Sequence, residues 1–125
     1  MAKNEYQKRV WALYRISDGL KDSSLVQRKI CRQFVTEKDN WSLKKEIEQD
    51  VTKYSCPLDS ALKFIFEAAR KNEFDIILCF AFRFLCRRKY ELASFVHSLA
   101  YYDVVLWSVN EGRYEIFLPN NINRF

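Results

Sequence analysis

Four cationic side chains lie close together near the middle of this chain, directly after an apolar run. The run extends from Ile76 to Phe82, and the cations are Arg83, Arg87, Arg88 and Lys89. Such a run predicts a strand that is buried on both faces of a sheet. Residues that follow a parallel strand lie at the carboxyl edge of the sheet, where open α/β folds hold their ligands, so the cluster predicts a phosphate site. The alternative is a solvated first helical turn, although cations are unfavourable at that end of the helix dipole.

A second candidate site follows the first predicted strand. The segment from Arg9 to Arg15 is apolar enough for a central strand, and the turn Ile16-Ser17-Asp18-Gly19 ends it. Ser17-Asp18-Gly19 taken alone is also an ordinary turn that ends a strand. Arg15, at the end of a buried strand, is harder to explain without a function.

The other elements follow from hydrophobic spacing and helix-capping residues. Two helices precede the predicted strand at Ile76 to Phe82, and between them Trp41 to Glu48 alternates like a half-exposed strand near an edge. The first helix is capped at Asp22-Ser23-Ser24, ends near Glu37 and has the apolar face Leu25, Ile30, Phe34 and Val35. The second begins at Pro57 after a polar loop at 50–56, and its buried face is Leu58, Ala61, Leu62, Ile65, Phe66 and Ala69.

A helix over Arg88 to Tyr102 and a strand over Val104 to Val109 follow the basic cluster. Arg113 to Leu118 alternates and is expected to fold back on that strand as a hairpin. The order of elements predicts an α/β fold, a three-layer αβα sandwich. Its sheet has about five mostly parallel strands and an antiparallel C-terminal edge strand.

Composition narrows the class of protein. With 125 residues the chain is expected to form a single domain, and 49% hydrophobic content excludes a disordered chain. The net charge of +5 favours acidic partners, nucleic acid first. The absence of a membrane-length apolar run and of a signal sequence predicts a cytoplasmic protein. Four cysteines without a Cys-x-x-Cys pair, and His97 as the one histidine, predict no metal or disulfide role.

One longer pattern carries a resemblance to a known family. An aspartate, Asp75, opens the third strand, and the later strand ends in the run Val105-Leu106-Trp107-Ser108-Val109-Asn110-Glu111-Gly112. This arrangement resembles the catalytic domain of the serine recombinases, which include resolvases, invertases and transposon integrases. It is closest to their large transposon-type members, and the resemblance covers roughly residues 9 to 112. It implies a resolvase-like fold, and the chain is expected to lack the family's C-terminal DNA-binding domain.

The resemblance also implies roles for individual residues. Serine recombinases attack a DNA phosphodiester with a serine, and arginines neutralise the transition state without a metal or other cofactor. Leu13-Tyr14-Arg15-Ile16-Ser17 resembles their first motif, with the tyrosine one place later than usual, so Ser17 would be the nucleophile and Arg15 the first arginine. Ser24-Leu25-Val26-Gln27 would supply the active-site glutamine as Gln27. Asp50 and Arg87 correspond to a further aspartate and arginine.

The sequence departs from the family at two arginine positions. Phe84 stands where the family has its catalytic arginine, and Arg83 stands where the preceding aspartate would be. Cys56 replaces the arginine that comes before the proline of the second helix. The loss of two such arginines is expected to raise the activation barrier by several kcal/mol, since the loss of one oxyanion donor raises it by about 2.7–4 kcal/mol. A shifted register would allow Arg83 to fill one gap.

Two functional hypotheses follow from this pattern. The first is a non-catalytic resolvase-like domain of a mobile element or phage. It would bind DNA, a full-length serine recombinase or a second copy of itself, with Arg83, Arg87, Arg88 and Lys89 as the DNA-binding residues, and so regulate recombination. The second is an active recombinase that uses Ser17, Arg15, Arg87 and Arg83. A third possibility is an unrelated phosphate-binding module, but the two glycines, Gly19 and Gly112, form no phosphate loop.

Overall fold

The computed structural model describes residues 7–16, 21–50, 59–85 and 89–115. Within these ranges five strands and three α-helices alternate along the chain. They are β1 (Lys8–Ile16), α1 (Lys21–Thr36), β2 (Trp41–Asp50), α2 (Asp59–Arg70), β3 (Ile76–Cys79), α3 (Lys89–Ala100), β4 (Val105–Ser108) and β5 (Gly112–Arg113). A short 3-10 helix at Phe82–Phe84 follows β3.

The strands form one sheet in the order β2-β1-β3-β4-β5. β1 pairs in parallel with β2 and β3, β3 pairs in parallel with β4, and β5 is antiparallel to β4. The predicted fold class is therefore confirmed, including the antiparallel C-terminal strand. The predicted positions of β1 in the centre of the sheet and β2 at an edge are confirmed as well.

Alternation along β1 and β3 builds two separate cores, one on each face of the sheet. The side chains of Trp11, Leu13 and Ile77 pack with α2 and α3, whereas those of Ala12 and Leu78 pack with α1. This alternation is the period of two that strands impose on their side chains. The helices thus cover both faces, which gives the three layers.

The buried face of α1 differs from the predicted one. Leu25 was expected in the core, but 65% of its surface is exposed. The helix instead faces the sheet with Ser24, Gln27, Cys31 and Val35, all of which are buried. Hydrophobic spacing gave the wrong phase in the first two turns because polar residues occupy the inward positions there.

β3 is shorter than the apolar run that predicted it. The strand ends at Cys79, and Phe82, expected in the strand, begins the 3-10 helix. All four residues of β3 are buried, as expected for a strand covered on both faces. The predicted polar loop through residue 56, the helix start at Pro57 and the hairpin beyond residue 115 lie outside the described residues.

Asp75 joins β1 to the start of β3 at the amino edge of the sheet. Its Oδ2 accepts hydrogen bonds from the Arg9 backbone N–H at 2.8 Å and from Arg9 Nε at 3.0 Å. Its Oδ1 accepts from Arg9 Nη2 at 3.0 Å. These hydrogen bonds from Arg9 lower the pKa of Asp75. The aspartate that opens the strand is thus a structural clamp, at the opposite edge from the candidate site.

Candidate functional site

The site lies at the carboxyl edge, between the ends of β1 and β3. β1 continues to β2 on one side of the sheet, while the chain reaches β3 on its other side, so the winding direction changes between β1 and β3. Open α/β sheets bind ligands at such a switch point. In this chain Arg15 and the turn from Phe80 to Leu85 border it.

Arg15 connects the two sides of this switch point. Its side chain is buried, and its Nη1 donates a hydrogen bond to the backbone carbonyl of Leu85. The guanidinium therefore spans from the end of β1 to the turn after β3. A buried arginine held in this way is a fixed cation at the sheet edge.

Gln27 reaches the same strand end from α1. It is only 3% exposed, and its Nε2 donates to the backbone carbonyl of Arg15 at 3.2 Å. The spacing of the sequence alone was compatible with a surface residue of the helix, whereas the structure brings Gln27 against Arg15. Two of the site residues implied by the family resemblance are thus in contact.

The turn after β3 presents an aromatic ring at the position where the family resemblance expects a catalytic arginine. Phe84 is half-buried and packs on Phe80, with 5.5 Å between ring centroids. The exposed Arg83 lies over the Phe84 ring, with its Cζ 5.2 Å from the centroid. The structure therefore places Arg83 over the ring at the position where the resemblance expects an arginine.

Ser108, at the end of β4, and Glu111, just after it, hold this turn, a role that the sequence did not predict. Glu111 Oε1 accepts from the Phe82 backbone N–H at 3.1 Å and from Ser108 Oγ at 2.5 Å. The Glu111 backbone N–H donates to Ser108 Oγ at 2.7 Å. Burial opposes ionisation, but the hydrogen bonds from Ser108 and Phe82 lower the pKa of Glu111. Ser108 and Glu111 both lie in the run from Trp107 to Gly112, from which only the family resemblance was inferred.

A second polar network lies on the opposite face, beneath α1. Tyr14 donates its hydroxyl to Glu46 Oε2 at 2.7 Å, and Arg32 donates to both Glu46 oxygens at 2.8 Å. Hydrogen bonds from Arg32, opposed by burial and assisted by Tyr14, lower the pKa of Glu46 to about 2. Burial, and then the hydrogen bond to Glu46, raises the pKa of Tyr14. This network fixes α1 against β1 and β2, and so fixes the helix that carries Gln27.

The other predicted site residues are described in part or not at all. Ser17, Arg87 and Arg88 lie outside the described residues. Only the backbone of Asp50 is described, and it pairs with Ile16 at the carboxyl edge, one residue before Ser17. Lys89 begins α3 and is exposed.

Among the described residues, no group of three or more His, Cys, Asp or Glu side chains could hold a metal ion. In the same part of the chain, no helix combines the length and the apolar character that crossing a membrane requires.

The fold is that of the serine recombinase catalytic domains, as the sequence predicted. The N-terminal catalytic domain of TP901-1 integrase matches with a TM-score of 0.68 and 18% identity, covering 84% of this chain and 79% of that one. The C-terminal catalytic domain of ISC1926 TnpA, an IS607-like serine recombinase, matches with a TM-score of 0.66 and 14% identity. That match covers 93% of this chain and 75% of the other. Identities this low establish the fold alone, and neither a protein-family model nor a curated protein matches the sequence.

Proposed function

We propose that this chain is a resolvase-like domain with impaired catalysis, which regulates recombination in a mobile element or phage by binding DNA. The observation that carries the proposal is the turn at Phe82–Phe84. An aromatic ring packs where the recombinase resemblance requires a guanidinium, and Arg83, the nearest candidate to replace it, lies over that ring. A phenyl ring has no donor for a phosphoryl oxygen, so it cannot stabilise the charge of a phosphoryl transition state.

The charge of the chain supports DNA as the partner. The net charge is +5, and the exposed Arg83 and Lys89 flank the carboxyl edge at the end of the turn and the start of α3. Cations on a surface bind the phosphate backbone without reading its sequence, and this binding weakens as salt rises. The expected activity is therefore salt-dependent binding to duplex DNA at this edge.

The test is the affinity for a labelled DNA duplex of mixed sequence at several salt concentrations. We expect log affinity to fall linearly with log salt, and Arg83→Gln to reduce the slope by about 1. Arg70→Gln is the matched control, because Arg70 is exposed and lies at the end of α2, next to the amino edge. Equal slopes for Arg83→Gln and Arg70→Gln would refute a DNA contact at Arg83. No binding at low salt would refute the DNA proposal, and a recombinase would then be the partner to test.

One observation favours the second candidate, an active recombinase. Arg15 and Gln27 are in contact at the end of β1, two residues before Ser17, so part of the implied constellation is assembled. The discriminating experiment is to incubate the protein with a labelled duplex, denature it and look for a covalent protein–DNA adduct. We expect none from the native protein. An adduct that disappears in Ser17→Ala would establish the enzyme and overturn impaired catalysis.

A further inference from the structure

The turn after β3 has no cap of its own. Ala81, the residue before the 3-10 helix, is extended and makes no side-chain cap. The first backbone N–H of the 3-10 helix, that of Phe82, is instead taken by the carboxylate of Glu111, which lies 29 residues later in the chain. Helix termini leave such N–H groups without intrahelical partners, so a carboxylate placed there is stabilising.

Glu111 is itself fixed by a reciprocal pair of hydrogen bonds with Ser108. The hydroxyl of Ser108, which is completely buried, donates to the carboxylate and accepts from the Glu111 backbone N–H. Two backbone hydrogen bonds, Val109 N–H to Cys79 O at 2.9 Å and Asn110 N–H to Phe80 O at 3.0 Å, hold the same segment against β3. The carboxylate is thus attached to a rigid part of the sheet.

The capped turn leads directly to Arg15. The Leu85 N–H donates to the Phe82 carbonyl at 2.9 Å, and the Leu85 carbonyl accepts from Arg15 Nη1. The amide that donates to Glu111 belongs to Phe82 and the carbonyl that Arg15 binds belongs to Leu85, only three positions later in the chain. A displacement of the turn therefore displaces the acceptor that orients the guanidinium.

We propose that Glu111 is a positioning residue that sets the orientation of Arg15 through the turn at 82–85. Its carboxylate accepts hydrogen bonds, and its side chain is long enough to extend to the Phe82 N–H. Glu111 acts on Arg15 through the turn and not by a hydrogen bond to the guanidinium. The inference rests on the proposed function only in naming DNA phosphate as the ligand that Arg15 would face. The orientation itself is a property of this chain and can be measured without DNA.

The test compares three variants of Glu111 with the exposed Glu115→Ala as the matched control for charge. Hydrogen exchange of the Phe82 amide and the NMR signals of the Arg15 guanidinium are the readouts. In Glu111→Ala we expect Phe82 exchange to rise about tenfold or more, because a hydrogen bond to a charged acceptor is lost, and the Arg15 signals to shift. Glu111→Gln keeps the acceptor oxygen and should restore both readouts to near native values.

Glu111→Asp keeps the charge but is one methylene shorter, so it should behave like Glu111→Ala. If the alanine variant does not fold, the aspartate variant provides the same test. Unchanged Phe82 exchange and Arg15 signals in the aspartate variant, or exchange that rises equally throughout the sheet, would overturn the inference. Local changes at Phe82 and Arg15, in a protein that binds no duplex at any salt concentration, would refute the proposed function and support the positioning role.

Discussion

At the scale of single residues, Tyr14 stands one place later than the tyrosine of the first motif that it resembles, and this shift places it on the other face of the sheet. In the run Leu13-Tyr14-Arg15, Leu13 packs in the core beneath α2 and α3, whereas Tyr14 packs in the core beneath α1. Arg15 follows the alternation to the side of Leu13, where its Nη1 donates to the carbonyl of Leu85. Because strands alternate with a period of two, a displacement by one residue reverses the side. Tyr14 therefore contributes to the network beneath α1, on the opposite face of the sheet from the side chain of Arg15.

The carboxylate that Tyr14 binds should make the stability of the protein depend on pH. The folded-state pKa of Glu46 is about 2, below its ordinary value, so its contribution is complete above about pH 4.5 and is lost as the pH falls toward 2. We expect Glu46→Gln to lower the free energy of unfolding by about 1–3 kcal/mol near neutral pH, with the difference shrinking across that window. Urea denaturation at a series of pH values measures it.

Glu73→Gln is the control for this prediction, since Glu73 is exposed and the substitution removes the same charge. It should leave stability within about 0.5 kcal/mol of native at every pH. If the two variants lose stability equally, or if the effect of Glu46→Gln does not change between pH 6 and pH 2.5, the carboxylate is not the origin of the pH dependence.

The sequence predicted Arg15 as a site residue, which stays a prediction, but it could not predict the environment of Gln27. A cation at the end of an apolar strand is recognisable from local pattern alone. Gln27 faces inward and donates to the carbonyl of Arg15. Ser24 also faces inward, and its hydroxyl donates to Glu48 Oε1 at 2.7 Å. These partners belong to β1 and β2, so they cannot be recognised from the helix sequence alone. Hydrophobic spacing therefore predicted that Leu25, which is exposed, would be buried.

At the scale of elements, both α2 and α3 end in the same motif without glycine. Asn72 and Asp103 have φ values of 61° and 64°. In α3, Val104 N–H donates to Leu99 O at 3.0 Å and Asp103 N–H to Ala100 O at 2.9 Å, the two bonds of a Schellman motif. Asparagine and aspartate tolerate the left-handed conformation better than most residues, but glycine adopts it without strain.

Asp103→Gly should therefore stabilise the protein, by about 0.5–1 kcal/mol. Asp103→Ala should destabilise it by a similar amount, because alanine has neither the freedom of glycine nor the polar side chain of aspartate. Asn72→Gly should gain less than Asp103→Gly, because Asn72 Oδ1 also accepts from Arg9 Nη2 at 3.1 Å. Chemical denaturation of the three variants gives the order, and a loss of stability in Asp103→Gly would contradict the assignment.

The end of β3 shows why boundaries of elements were harder to predict than their order. Strand, helix and strand could be read from periodicity because burial imposes a repeat along the chain. Phe80, Ala81 and Phe82 continue the apolar run and give no local signal to stop. Where the turn begins, the Phe82 N–H donates to the carboxylate of Glu111, which follows β4. That partner lies 29 residues away and is invisible to a local pattern.

At the scale of the whole molecule, the two edges of the sheet have different roles. At the amino edge the charges of Arg9 and Asp75 neutralise each other, and Arg9 also donates a hydrogen bond to the backbone carbonyl of Asn72. At the carboxyl edge Arg83 and Lys89 are exposed beside the switch point. A ligand with many negative charges should therefore distinguish the two edges.

The corresponding prediction is a map of NMR amide shifts during titration with a short DNA duplex. We expect shifts to concentrate at Arg15, at 82–85 and at the start of α3, and to be small at Arg9 and Asp75. The physical reason is that exposed cations next to a switch point can pair with phosphate, while the Arg9 guanidinium is already bound to a carboxylate. Raising the salt concentration should reverse the shifts in the same order. Shifts centred on the amino edge would place the DNA on the wrong side of the sheet for any recombinase-like function, and the cationic edge would then need another explanation.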